Sequence, residues 1–229
     1  LSWFGLKAKM PDTKVSIPKQ PFSYILDDFK QVYKNKRFLG MTLALPMVSM
    51  PLMLWIALSP VMLVEELGFS SMQYGLAQFP VLGGLILGNI VLIKIIDKLA
   101  LGQSVLIGLP IMLLGSLVLV AGVIWQDYLI WCLIAGMTLL SFGEGISFSV
   151  LYRFALMSSE VSKGTVAAAV SMLLMFSFFF IIELVRVLYE QFHLIGYSVS
   201  CLVLIALWFT FPRAILKQVL LERKQSGVF

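Results

Sequence analysis

Glu144 is the residue whose chemistry most needs a setting. It lies in Ser141-Phe-Gly-Glu-Gly-Ile-Ser147, within an apolar run from Leu129 to Tyr152. Arg153 closes that run, so Glu144 would stand roughly 13 Å from it along a helix that rises about 1.5 Å per residue. If the run crosses a bilayer, Glu144 is near the midplane. An ionised side chain there costs at least about 3 kcal/mol and cannot reach either surface. It must face protein or water. Thr138, Ser141, Glu144 and Ser147 recur at every third position, which reads as one polar stripe and hence a cavity wall. A carboxyl held there could exchange protons or hold a cationic substrate. The alternative is a protonated glutamate hydrogen-bonded to a neighbouring helix as packing glue.

The other reactive side chains offer less. Glu183 lies close to Arg186, a spacing that suits a salt bridge or an interfacial anchor; a gate on the outer side is the sharper alternative. Cys132 and Cys201 fall in separate apolar runs without CxxC spacing, as small packing residues do. His193 is the only histidine, with no cysteine or carboxylate pair beside it to build a metal site. No Ser/His/Asp or Cys/His set, HExxH or phosphate-binding glycine loop is present, so the chain does not read as an enzyme and calls for no cofactor.

The elements that must carry Glu144 follow from composition. Of 229 residues, 60% are hydrophobic and 13% charged, and the mean hydropathy is +0.97; soluble domains carry about 25% charged residues. Sixteen of the seventeen Lys and Arg residues sit in alternate gaps between apolar runs, and only Arg186 falls in the other gaps. Basic loops stay in the cytoplasm. The reading is therefore an integral membrane protein, all-α, with six transmembrane helices and both ends cytoplasmic. The expected spans are residues 38–64, 74–93, 101–124, 129–152, 164–184 and 194–211, with a basic tail at 212–229. Dispersed positive charge suits membrane lipids better than nucleic acid, so no nucleic-acid partner is expected.

Residues 1–6 are apolar but too few for a span, and read as the end of a preceding transmembrane helix. Residues 7–37 form a cytoplasmic linker with eight basic residues. Its second half places Phe22, Ile25, Phe29 and Val32 at helical spacing, either as an amphipathic surface helix or within an irregular linker. Pro46, Pro51, Pro60, Pro80 and Pro110 fall inside the spans and invite kinks. Gly84 with Gly88, and the Ala167-Ala168-Ala169 and Ser171 stretch, are spaced for close helix packing.

Several blocks are more specific. They are Met10-Pro-Asp-Thr13, Ser49-Met-Pro-Leu-Met-Leu-Trp-Ile-Ala57 with Ser59-Pro60, Tyr74-Gly75 with Gln78 and Pro80, Gly88-Asn89, Ser141-Phe-Gly143, Arg153 and Ser162-Lys-Gly-Thr-Val166. In this order they resemble the second half of a major facilitator superfamily transporter, of the MdfA-like multidrug and chloramphenicol drug/proton antiporter type. The resemblance covers most of the chain.

It implies the C-terminal six-helix half of an efflux transporter in the bacterial inner membrane. Its partner would be an N-terminal six-helix half, its substrates lipophilic cationic or neutral drugs, and its coupling ion the proton. The substrate-binding positions implied are Leu52, Met53 and Ile56 in the first span, Leu85 in the second, and Ser171, Met175 and Phe178 in the fifth. Leu52 with Ile56, and Ser171 with Met175 and Phe178, each share a helix face, although ordinary packing leaves the same pattern. Glu144 stands where the family's Phe-Gly-x-Gly pattern is apolar, so its role rests on the stripe. The competing reading from another class is a self-contained six-span channel or membrane scaffold.

Overall fold

The structure, a computed structural model, describes residues 22–99, 102–159 and 161–226, with backbone alone for 22, 23, 25 and 209–226. The expected severed helix at residues 1–6, most of the linker, Leu101 and the side chains of the basic tail lie outside the described residues. Among the described residues every regular element is helical.

Helix α1 spans Phe22–Lys34. Val32 is fully buried and Phe29 and Tyr33 pack against the core, so the second half of the linker is a docked helix. Asn35 then begins α2 (Lys36–Ser59): its side chain accepts from the Arg37 and Phe38 amides at 2.9 and 3.2 Å. The same side chain donates to Ser158 O at 2.9 Å, tying the start of α2 to the end of another helix. Pro46 and Pro51 sit inside α2, and from Pro60 to Glu66 the helix continues with π spacing. A proline cannot donate to the carbonyl four residues back, and a π turn is one way to absorb that loss.

Ser70 opens α3 (Ser71–Ile95) with a reciprocal capping box to Gln73. Helix α4 spans Gln103–Ile124 and α5 spans Leu129–Met157. The last element, α6, runs Lys163–Ser226 but breaks at His193, where φ is 50 and ψ −138. A Cβ built on Gly196 would lie 2.5 Å from Leu188 O, whereas residues eight apart on a straight helix are separated by about 12 Å. The chain therefore doubles back at His193 into antiparallel arms, 163–192 and 194–226. The first arm continues beyond Leu184, where the fifth span was expected to end, and along it Arg186 pairs with Glu183 and with Glu190.

Among the described residues five helices are long and apolar enough to cross a membrane, and the last of them, Lys163–Trp208, has 46 residues. That is more than twice the roughly 20 needed for one crossing. The chain is an all-α integral membrane bundle.

Helix α5 is central and packs against α2, α3 and α4, while α2 and α4 also meet α6. The approach to α3 is backbone on backbone. A Cβ at Gly145 would stand 2.5 Å from Leu85 O and 3.0 Å from Asn89 N, and one at Gly88 would strike Phe142 O. Gly145→Val is expected to destabilise the bundle by about 1–3 kcal/mol, read as a lowered Tm of the purified protein in detergent. Gly75→Ala, where nothing lies within 4 Å, should leave the Tm unchanged or raise it.

Candidate functional site

Glu144 is 6% exposed on the central helix. Among the described residues, no hydrogen-bond or ion-pair partner meets its carboxyl. Ser141, one turn before it, is fully buried and its hydroxyl likewise finds no protein partner. The neighbouring turn touches α3, since Gly145 lies against the backbone of Leu85 and Asn89. Asn89 turns its amide onto Leu85 O at 2.9 Å. The site therefore has a largely buried carboxyl and a fully buried hydroxyl with spare bonding capacity, beside one of the positions implied to bind substrate.

The polar row does not form a single wall. A three-residue step falls about 60° short of a full turn, so Thr138 and Ser147 point in directions roughly 180° apart. Thr138 packs its methyl on Gly84 of α3 and returns its hydroxyl to Ile134 O at 2.7 Å. Ser147 packs on Gly108 of α4. The row winds from one neighbour to the other, and among the described residues only Thr138 of its four side chains finds a hydrogen-bond partner.

The apolar positions separate by exposure. Leu52 is 4% exposed in the core, Met53 and Phe178 are partly buried against it, and Leu85 is partly buried beside Gly145. Ile56 is 53% and Met175 63% exposed, and Ser171 is also exposed. None of them lines the cavity of about 600 Å³ between the two arms of α6 and the first half of α2. That cavity is walled by Met47, Ile181, Val185, Val199 and Leu204 among others, almost entirely apolar.

At the end of the bundle that carries the α6 reversal, Arg186 is held by two carboxylates of its own helix. Its Nε donates to Glu183 Oε2 at 3.1 Å, and its terminal nitrogens meet Glu183 and Glu190. Glu183 is thus engaged locally. His193 Nδ1 stands 3.0 Å from Glu66 Oε1, joining the reversal to the end of the π turn. Among the described residues no group of His, Cys, Asp and Glu is arranged to hold a metal ion.

One polar centre went unassigned on sequence reading. Trp55, fully buried on α2, donates from Nε1 to Gln78 Oε1 on α3 at 2.7 Å. Gln78 Nε2 donates to Ser59 Oγ at 3.4 Å, and Ser59 Oγ meets Tyr74 OH at 3.3 Å. The signal was an amide inside an apolar span, the same kind of signal that singled out Glu144.

No family model matches the chain. It is 72% identical over 223 residues to the chloramphenicol resistance protein CraA of Acinetobacter baumannii, covering 97% of this chain and 54% of that protein. It is 36% identical over 190 residues to the multidrug transporter MdfA of Yersinia pestis, covering 82% of this chain and 46% of the relative. Against the multidrug transporter MdfA of Escherichia coli O157:H7 it is 37% identical over 179 residues, 78% of this chain and 44% of the relative. The chain spans about half the length of the curated relatives it matches.

A buried carboxyl without a partner is a burden on the fold. Glu144→Leu, which removes the polar group and keeps an apolar volume, is expected to stabilise the purified protein by about 1–3 kcal/mol. Thermal unfolding in detergent reads this as a higher Tm; a lower one would reveal a bond that Glu144 makes to hold the bundle.

Proposed function

The chain belongs to the MdfA-like group of the major facilitator superfamily, and on that premise we propose that it is the C-terminal six-helix half of a proton-coupled multidrug efflux transporter. It acts with an N-terminal six-helix half, in the bacterial inner membrane, with both ends cytoplasmic. Three features support this reading: the share of each relative that the chain spans, the partition of basic residues and the reversal that divides α6. The two halves enclose a drug cavity that opens alternately to either side. Met53, Ile56, Leu85, Ser171, Met175 and Phe178 form this half's share of the wall, and Leu52, buried in the core, backs it. The exposure of Ile56, Ser171 and Met175 is what a surface completed by another bundle would present.

The observation that carries the proposal is Glu144, buried on the central helix and without a partner among the described residues. A bundle selected for stability alone has no use for it, whereas a site for cations or protons does. Lipophilic cations gain a charge-assisted contact there, and neutral drugs such as chloramphenicol, after which one relative is named, bind through the flexible Met and Phe wall. Arg186 fits the orientation because Glu183 and Glu190 neutralise it.

The test is drug export by the full-length protein in cells stripped of other exporters. Proton-gradient-dependent export of tetraphenylphosphonium and chloramphenicol is expected, and its absence would sink the reading. Glu144→Gln should cut tetraphenylphosphonium export roughly tenfold, the worth of one charge-assisted bond, with a smaller loss for chloramphenicol. Equal export of both at wild-type rates would remove Glu144 from the site.

A further inference from the structure

Between Pro51 and Pro60, helix α2 is a short panel with a weakened joint at each end. Pro51 cannot donate to Met47 O, and Pro60 cannot donate to Ile56 O, where α spacing gives way to π spacing. The panel carries Met53 and Ile56 of the drug wall, and Leu52 behind them. Its angle is not set by α2 alone.

The side chains that anchor it are polar and lead to one residue. Trp55 lies between Met53 and Ile56, fully buried, and its indole nitrogen has Gln78 Oε1 as acceptor at 2.7 Å. Ser59, at the second joint, is also fully buried and accepts from Gln78 Nε2 at 3.4 Å. Tyr74 meets the same serine at 3.3 Å. One amide on α3 therefore holds the panel at two points about one turn apart, Trp55 near its middle and Ser59 at its second joint. In an apolar setting such bonds are directional and costly to leave unmade, and loss of the amide would orphan the Trp55 donor.

We propose that Gln78 is a positioning residue for substrate selection: its amide fixes the rotation of the Pro51–Pro60 panel and so the shape that Met53 and Ile56, backed by the buried Leu52, present to a lipophilic substrate. This deepens the efflux reading and rests on it. Gln78 acts through Trp55 and Ser59.

The experiment uses the full-length transporter in proteoliposomes with tetraphenylphosphonium as the probe, together with maleimide labelling of an Ile56→Cys variant. Gln78→Leu is expected to raise KM about three- to tenfold with kcat within about twofold, the pattern of lost positioning in binding. The same substitution should change the labelling rate at residue 56. Gln78→Glu, which keeps an acceptor for Trp55, should recover most of both. Trp55→Phe should reproduce the KM change and add little to it in the double variant, because both break one contact. A Gln78→Leu protein with wild-type KM and wild-type labelling overturns the proposal. So does loss of folded protein in both Gln78→Leu and Trp55→Phe, which would make the contact purely structural. If the wild-type protein does not transport the probe, the efflux reading fails, and labelling at residue 56 still decides whether Gln78 sets the panel.

Discussion

In a bilayer, lipid tails are as apolar as leucine and do not press one helix onto another, so packing depends on how near two backbones can come. Helix α5 meets that requirement on two sides. Toward α3 it offers Gly145 to the backbone at Leu85 and Asn89, and toward α4 it offers Gly136 to the backbone of Gly115. Those approaches fix the rotation of α5 about its axis. Once it is fixed, every other position on α5 has an assigned direction, including the carboxyl at 144. The bundle's site is set by its smallest residues.

Two polar centres inside the apolar bundle show opposite solutions to one problem. Around Gln78 the donors and acceptors are matched, with Trp55, Ser59 and Tyr74 bonded across α2 and α3. A satisfied network of this kind makes a rigid joint. Around Glu144 and Ser141 they are unmatched, which costs stability and leaves bonding capacity for something outside the bundle. The first centre ties two helices together beside a proline, and the second leaves a buried acid incomplete.

Arg186 and His193 extend the same logic to the bundle's end. The arginine spends its charge on Glu183 and Glu190 of its own helix, so a basic residue is tolerated in a gap otherwise free of Lys and Arg. The reversal at His193 forces a backbone conformation rare for a residue with a side chain. Its imidazole reaches across to Glu66, linking the α6 turn to the π end of α2.

Much of this protein was legible from residue order because bilayer physics acts on composition. Apolar runs long enough to cross, the partition of charge and the isolated acid at 144 need no tertiary contact to be noticed, and the blocks around Trp55 and Ser162 carry the family resemblance. What could not be read was direction around a helix axis. The row Thr138, Ser141, Glu144, Ser147 looked like one wall because its spacing is regular, yet three residues are not a whole turn, and glycine contacts send its ends to different helices. Likewise Gln78, Trp55, Ser59 and Tyr74 were visible as residue types, but only packing brought them within bonding distance. The sequence by itself determined that the chain enters a membrane and that a carboxyl goes with it, because the cost of moving each residue out of water is local. Which groups find partners there was decided by tertiary structure, because that depends on the rotation and approach of helices distant in the chain.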